Sequence, residues 1–278
     1  MPPSKPAHLE PSELGTKEYW DNLYKTEIAN HANNPDDKGT VWFDDSDAEA
    51  KMAQFLADLD TEGALNANQV LDLGCGNGSL LRAVRDELWA DGVEEQDGSG
   101  AAVRLLGVDY SESSVKLAKS IEENDEDSEH NVPISFSVWD MLEGSASDLL
   151  EDGEAKDKTD AAACWDLILD KGTFDAISLG NAQNTTDAAG APRTPVEIRY
   201  RRQILNLLRA GGKFLITSCN WTEPELCAWM VDDEEEEGAA ALPYKLFKAG
   251  RVAYPSFQFG GVQGQTVCTV CFEKRSRP

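Results

Sequence analysis

The sequence predicts an α/β protein with one open, largely parallel sheet. Three observations support this prediction: strand-length apolar runs alternate with helical patterns, four of these runs end in an aspartate, and a glycine-rich turn joins the first run to a helix. The chain has 278 residues with a hydrophobic fraction of 41%, which is enough for one large packed core. We therefore expect a single domain over residues 16–278, preceded by a disordered tail over residues 1–15.

Two helices are predicted before the first strand. Residues 16–28 carry Trp20, Tyr24 and Ile28 on one side, and residues 46–59 carry an apolar stripe with helical spacing. The second stripe should cover one face of the first strand.

The glycine turn is the clearest ligand-binding signal in the chain. A buried strand over residues 70–73 breaks into Gly74, Gly76 and Gly78, and a helix is predicted over residues 80–89. Glycines at such a turn let a ligand lie against the main chain, and the free N–H groups of the helix point at it. The spacing G-x-G-x-G differs from the dinucleotide pattern G-x-G-x-x-G, and it therefore favours a ligand other than a pyrophosphate.

Each of the first four predicted strands ends in an acid. The second, third and fourth strands are expected over residues 103–110, 134–140 and 165–170. The carboxyl ends of parallel strands lie together at the crevice where open α/β sheets bind ligands. Strand ends at the water boundary also carry acids for solubility alone, but four together with the glycine turn favour a site. The four acids are Asp72, Asp109, Asp140 and Asp170.

The C-terminal third predicts one more helix and three strands. The helix covers residues 195–208 and ends at the glycine pair 211–212, which precedes a strand over residues 213–217. Residues 244–254 and 266–272 are predicted as the last two strands, a terminal hairpin around glycines 260 and 261.

The net charge of −26 is concentrated in four acidic insertions. They lie near residues 91–101, 122–131, 143–163 and 231–239, are rich in Gly, Ser, Asp and Glu, and fall between predicted elements. We interpret them as solvated loops, with attraction of a basic protein substrate as the alternative. The acidic balance and the lack of a basic stripe argue against a nucleic-acid partner.

Cysteine usage and targeting signals favour a cytoplasmic protein, with a nuclear pool left open. The six cysteines are scattered within apolar runs, as expected of reduced thiols, and Cys268 and Cys271 have no second pair with which to bind zinc, so no metal is expected. The first fifteen residues lack the apolar segment of a signal peptide, and no run of apolar residues is long enough to span a membrane. We expect a monomer that does not associate with membranes.

The motifs described above resemble those of the class I methyltransferases that use S-adenosylmethionine. The resemblance implies a Rossmann-like seven-stranded sheet with helices on both faces and an antiparallel last strand. It also implies that residues 72–78 hold the methionine end of the cofactor, that Asp109 binds its ribose, and that Asp140 and Met141 contact its adenine. The implied cofactor-binding residues are Asp72, Gly74, Cys75, Gly76, Asn77, Gly78, Asp109, Tyr110, Asp140, Met141 and Asp170.

Further motifs resemble one branch, the Efm4-like protein-lysine methyltransferases that act on translation elongation factor 1-alpha. These motifs are D-K-G-T-F-D-A-I at 170–177, T-S-C-N-W-T at 217–222 and shorter aromatic runs at 19–21, 41–43 and 257–261. The resemblance implies a lysine side chain of that factor as the methyl acceptor.

Roles for four residues follow from this interpretation. Asp170 is the candidate catalytic residue that holds the amine, and Trp42, Asn220 and Trp221 are the candidate substrate contacts. A methyltransferase acting on small molecules, or a non-catalytic scaffold that binds S-adenosylmethionine, would share the cofactor motifs. Sequence alone leaves both alternatives open.

Overall fold

A computed structural model gives the fold of this chain. It describes residues 5–90, 103–125, 132–149, 165–180, 194–231, 243–255, 257–259 and 262–277. The predicted insertion near 91–101 lies outside the described residues, as do most residues of the insertions near 122–131, 143–163 and 231–239.

One seven-stranded sheet organises the described part of the chain, in the order β3-β2-β1-β4-β5-β9-β6. The first five strands run parallel, and β9 is antiparallel to both of its neighbours, which confirms the expected arrangement. The strands of this sheet are β1 (Gln69–Leu73), β2 (Arg104–Asp109), β3 (Ile134–Val138), β4 (Trp165–Lys171), β5 (Leu208–Ser218), β6 (Tyr244–Val252) and β9 (Cys268–Ser276). A separate pair, β7 (Phe257–Phe259) and β8 (Val262–Gly264), forms a short antiparallel ladder.

Helices cover both faces of the sheet. The helices are α1 (Lys17–Asn33), α2 (Ala48–Thr61), α3 (Ser79–Leu88), α4 (Glu112–Glu123), α5 (Thr173–Ser178), α6 (Val196–Leu207) and α7 (Glu223–Met230). Three of them, α4, α5 and α7, were not predicted individually. Among the described residues, none of these helices is long and apolar enough to cross a membrane.

The core lies on both sides of the sheet because successive strand residues point to opposite faces. Val70 and Leu167 belong to one buried cluster, which also contains Met52 of α2. The neighbouring residues Leu71 and Ile168 belong to a second cluster, together with side chains of α6 and α7. Each fully buried Leu or Ile stabilises the fold by about 1.5–3 kcal/mol relative to an exposed position.

The strand register brings the site residues to one edge. In the parallel pairing, Leu73 lies opposite Val108 of β2 and opposite Asp170 of β4. The carboxyl ends of β1, β2 and β4 are therefore level with each other. The glycine turn after β1 opens at this edge.

Two parts of the chain differ from the sequence prediction. The β5 strand begins at Leu208, directly after α6, and the glycine pair lies inside it, where the pairing with β4 is irregular. Residues 5–15, expected within a disordered tail, lie against the domain. Lys5 Nζ donates to the carbonyl of Ala228 at 3.0 Å, and the amide of Ser12 donates to the carbonyl of Leu179 at 3.1 Å.

Candidate active site

A cavity of about 520 Å³ lies at the carboxyl ends of β1, β2 and β4. Its volume is in the range of small-molecule sites, about 300–1,000 Å³. All of the predicted cofactor-binding residues line it except Gly78 and Asp170. The topology therefore brings the glycine turn and three of the four strand-end acids to one cavity.

The turn requires glycine for two reasons: its φ angles are positive, and a Cβ atom would overlap neighbouring side chains. Gly74 has a φ of 61°, and a Cβ added there would lie 2.0 Å from Oγ1 of Thr173. Gly76 has a φ of 56°, and its Cβ would lie 2.7 Å from the hydroxyl of Tyr24. Gly78 instead precedes α3, and its Cβ would meet the ring of Phe136 at 2.7 Å. A side chain at the first two positions would close the cavity wall.

Asp109 ends β2, and its carboxylate holds the backbone of the glycine turn. Its carboxylate accepts a hydrogen bond from the amide of Gly76 at 3.1 Å and another from the amide of Ser111 at 2.8 Å. The side chain is buried, and burial raises the pKa of Asp109 above its usual value, against the effect of these hydrogen bonds.

Asp72 is a buried acid with an unsatisfied oxygen. The residue is 2% exposed and lines the cavity, and its Oδ2 atom has no hydrogen-bond partner within the described part of the chain. Burial raises the pKa of Asp72 well above its usual value, and Lys171 opposes this effect. A buried carboxylate oxygen without a partner is costly, so this atom is suited to a donor supplied by a ligand.

The segment after β3 also lines the cavity. It contributes Asp140 and Met141, and Oδ1 of Asp140 accepts from the amide of Leu142 at 2.8 Å. Tyr110, which follows Asp109, is another lining residue.

Two residues within the turn support its shape. The side chain of Asn77 donates to the carbonyl of Lys38 at 2.8 Å and accepts from the amide of Ser79 at 3.1 Å, which ties the 38–40 loop to the turn. The amide of Cys75 donates to the carbonyl of Val108 at 2.9 Å. Burial raises the pKa of the Cys75 thiol well above its usual value, so it is not a reactive thiolate.

The position of Asp170 corrects its predicted role. The residue is fully buried and does not line the cavity. Its two oxygens accept from the amides of Thr173 and Phe174, at 2.9 and 3.0 Å, and from the hydroxyl of Tyr200. Burial raises the pKa of Asp170 to about 7. Asp170 therefore holds the start of α5 instead of contacting cofactor or substrate.

The predicted substrate residues separate into two groups. Trp42 and Asn220 line the cavity, whereas Trp221 is 3% exposed and packs against Phe174 and Trp229. Trp221 thus belongs to the core, contrary to its predicted substrate contact. The turn after β5 directs Asn220 towards the cavity and the apolar Trp221 ring inward.

Several cavity residues were not predicted as site residues. Lys171 and Asp175 line the cavity next to Thr173, and Tyr24 of α1 lies above Gly76. Asp175 follows Asp170 by five residues, but helix α5 turns only the later acid towards the cavity. Among the described residues, no group of three or more His, Cys, Asp or Glu side chains could hold a metal ion.

The N-terminal segment also reaches the cavity. His8 lines it and contacts Oε1 of Glu197 through its Nδ1 atom at 2.9 Å, while its ring lies 5.6 Å from that of Trp229. Glu197 is 1% exposed. Trp20 Nε1 donates to the carbonyl of Leu14 at 2.7 Å, which fixes the segment next to α1.

Comparison with known proteins gives matches over most of the chain. A methyltransferase domain family matches residues 65–261. The protein-lysine N-methyltransferase EFM4 of Saccharomyces cerevisiae is 38% identical over 97% of this chain and 98% of its own length. The EEF1A lysine methyltransferase 2 of Danio rerio is 31% identical over 98% of this chain and 92% of its own length.

A solved structure of low sequence identity also aligns. It is magnesium protoporphyrin IX methyltransferase from Synechocystis PCC 6803 with bound S-adenosylmethionine. The alignment covers 91% of this chain and 97% of the solved chain. The TM-score is 0.46 and the sequence identity is 14%.

The cavity residues fit the cofactor of this enzyme class. Asp109 ends the second strand, the glycine turn follows the first, and Asp72, which lines the cavity, has one oxygen without a hydrogen-bond partner among the described residues. S-Adenosylmethionine is the methyl donor of this enzyme family. The chain belongs to the family of S-adenosylmethionine-dependent protein-lysine N-methyltransferases that includes EFM4 and EEF1A lysine methyltransferase 2.

Proposed function

We propose that this enzyme transfers a methyl group from S-adenosylmethionine to a lysine side chain of translation elongation factor 1-alpha. The substrate follows from the name of a relative that aligns along nearly its whole length, EEF1A lysine methyltransferase 2. The observation that carries the proposal is that the cofactor residues and an aromatic wall line the same cavity.

The aromatic wall consists of Trp20, Tyr24, Trp42 and Phe43. The rings of Trp20 and Trp42 lie 5.3 Å apart in an edge-to-face arrangement, and those of Trp20 and Tyr24 are stacked at 6.3 Å. Aromatic faces attract a lysine ammonium and its methylated forms. They also exclude water from a flexible alkyl chain, which suits a lysine better than a polar metabolite.

Phe43 is held in a backbone conformation that is rare for its residue type. Its φ is 66°, in the left-handed region, and its ring would lie 3.2 Å from a Cβ at Gly172. Such a conformation costs about 1–3 kcal/mol, and it persists where the surrounding structure imposes it. The amides of Ser46 and Ala48 donate to the carbonyl of Phe43, at 3.1 and 3.3 Å, and so hold it in place.

The acceptor amine must lose its proton before it can attack. A free lysine has a pKa of about 10.4, so only a small fraction is neutral near pH 7. A cavity that removes water lowers the pKa of the amine because the charged form loses its hydration. Bound S-adenosylmethionine supplies the electrophilic methyl group on a positively charged sulfur.

Asp175 is the carboxylate that we assign to the amine. It lines the cavity, is 4% exposed, and accepts from the hydroxyl of Ser218 at 2.5 Å and from the amide of Cys219 at 2.9 Å. These bonds fix its orientation next to Asn220. Burial raises the pKa of Asp175 above its usual value. A fixed carboxylate can orient the N–H groups of the incoming amine.

Mass spectrometry of the substrate tests the proposal. Elongation factor 1-alpha purified from cells lacking the corresponding methyltransferase is incubated with the enzyme and S-adenosylmethionine, and its peptides are then analysed. We expect one lysine to gain the mass of one or more methyl groups. Asp109→Asn should abolish this gain because Asp109 fixes the cofactor turn. Asp58→Asn, an exposed acid on α2, is the matched control and should retain it.

The negative outcome is equally informative. If the enzyme binds S-adenosylhomocysteine but modifies no lysine of the factor, the substrate assignment is wrong. Methylation of free metabolites under the same conditions would then favour the small-molecule alternative.

A further inference from the structure

Lys171 places a positive charge in the wall of the cofactor cavity. The residue ends β4, one position after Asp170, and its side chain is 10% exposed and lines the cavity. Burying an ammonium is costly unless it is paired and hydrogen-bonded. Neither the aromatic wall nor the methyl transfer explains why a lysine occupies this position.

The ammonium of Lys171 is held from one side by the N-terminal part of the domain. Its Nζ atom donates to the carbonyl of Trp42 at 2.9 Å and pairs with Oε1 of Glu49 at 3.3 Å. The same Oε1 atom accepts from the hydroxyl of Ser79, the first residue of α3, at 2.5 Å. The Nζ atom of Lys171 also lies 5.8 Å from the centroid of the Phe43 ring. A lysine ammonium has three N–H donors, and among the described residues only the Trp42 carbonyl and Glu49 accept from or pair with it, so a donor remains for a further acceptor.

The opposite charge lies on the neighbouring strand. Asp72 of β1 lines the same cavity, and one of its buried oxygens has no hydrogen-bond partner among the residues that the structure describes. The strands β1 and β4 are adjacent and parallel. The cavity wall thus presents a carboxylate that lacks a donor and an ammonium with a donor to spare. This is the charge pattern that an amino-acid zwitterion requires, with its ammonium on Asp72 and its carboxylate on the lysine.

We propose that Lys171 binds the α-carboxylate of the methionine moiety of the cofactor, while Glu49 and the carbonyl of Trp42 fix the position of its ammonium. The carbonyl belongs to Trp42, which is part of the aromatic wall. Lys171 therefore connects the cofactor to the wall that we assign to the substrate lysine. The assignment concerns cofactor binding alone and does not depend on which protein is methylated.

Binding of two ligands that differ only in the carboxylate tests this assignment. Isothermal titration calorimetry measures the affinity of the full-length protein for S-adenosylhomocysteine and for its decarboxylated analogue, in which hydrogen replaces the carboxylate. The proteins compared are the wild type, Lys171→Met and Lys171→Arg. Lys116→Met, an exposed lysine on α4, is the matched control.

The wild type and the Lys116→Met control should bind S-adenosylhomocysteine about 10- to 100-fold more tightly than the decarboxylated analogue, as expected for a charged hydrogen bond. In Lys171→Met this preference should fall to near unity, through a loss of affinity for S-adenosylhomocysteine alone. Lys171→Arg should keep part of the preference because it retains the charge.

Other results overturn the assignment. If Lys171→Met weakens both ligands equally, the lysine only supports the segment around Trp42. If the wild type itself binds both ligands equally well, the carboxylate is not recognised. This last measurement needs no variant, so the proposal is testable even if Lys171→Met does not fold.

Discussion

Replacement of Gly74 by alanine separates the backbone strain at the cofactor turn from the lack of space there. Gly74 has a φ of 61°, and an added Cβ would lie 2.0 Å from Oγ1 of Thr173. Gly63, which follows the end of α2, has a φ of 66°, and no atom of the described residues lies within 4 Å of the added Cβ. The two glycines have nearly the same φ and differ in their surroundings.

The expected magnitudes follow from this difference. Alanine in the left-handed region costs about 1–2 kcal/mol, so Gly63→Ala should lower the free energy of unfolding by that amount. Gly74→Ala carries the same cost plus about 1–3 kcal/mol for overpacking. Displacement of Thr173 would also break the hydrogen bond from its Oγ1 atom to the carbonyl of Leu73, which is 2.7 Å long. The strain and overpacking costs together give about 2–5 kcal/mol, and loss of this hydrogen bond adds about 0.5–1.5 kcal/mol.

Urea denaturation measures the free energy of unfolding of both variants, and calorimetry measures their affinity for S-adenosylhomocysteine. Gly63→Ala should bind the ligand like the wild type because it lies outside the cavity. Gly74→Ala should bind it much more weakly. In a Thr173→Ala background, the cost of Gly74→Ala should fall towards that of Gly63→Ala because the obstructing atom is gone.

Equal losses for Gly63→Ala and Gly74→Ala in the wild-type background would refute the argument from space. An unchanged cost of Gly74→Ala in the Thr173→Ala background would refute the specific contact.

Three further predictions concern buried polar groups. Tyr200→Phe removes the hydroxyl that donates to Asp170. It should lower the free energy of unfolding by about 2 kcal/mol while kcat changes little. A large fall in kcat at unchanged stability would instead give Asp170 a catalytic role. Because burial raises the pKa of Asp170 to about 7, the folded state keeps a proton that the unfolded chain releases near pH 4, so stability should fall as pH rises from about 4 to about 7. Asp170→Asn should flatten this slope in urea denaturation, and an unaltered slope would contradict the assignment. His8→Ala leaves the buried Glu197 without its partner and should cost about 1–3 kcal/mol in the same assay, whereas no change would mean that the contact contributes nothing.

The sequence predicted the sheet well because its signals are local. Each of the first four strands is a short apolar run with its own terminating acid, and observed and predicted bounds differ by only a few residues. Helix α7 was not predicted, although Thr222 and Glu225 form a capping box at its start. That pattern is readable from sequence and would have found the helix.

The site was predicted less completely because its contacts are distant in sequence. Lys171 meets Glu49 across the sheet edge, and His8 meets Glu197 across most of the chain. No local pattern marks such pairs. The roles of Asp170 and Trp221 were assigned wrongly for a related reason: strand ends and turns bring a residue near the cavity, but side-chain direction decides whether it faces ligand or core.

The position of β9 has a consequence for how the protein is made. Among the described strands, β9 follows β6 in the sequence but lies between β5 and β6 in the sheet, so these two strands have no common neighbour until β9 has been synthesised. During translation the edge of β5 carries unpaired backbone groups, which are prone to pair with other chains. The seven-stranded sheet is complete only when residues 268–276 have paired with β5 and β6, and pairing between segments so far apart in the sequence is slow. A truncation before residue 268 therefore removes a strand from inside the sheet and leaves β6 without its partner strand.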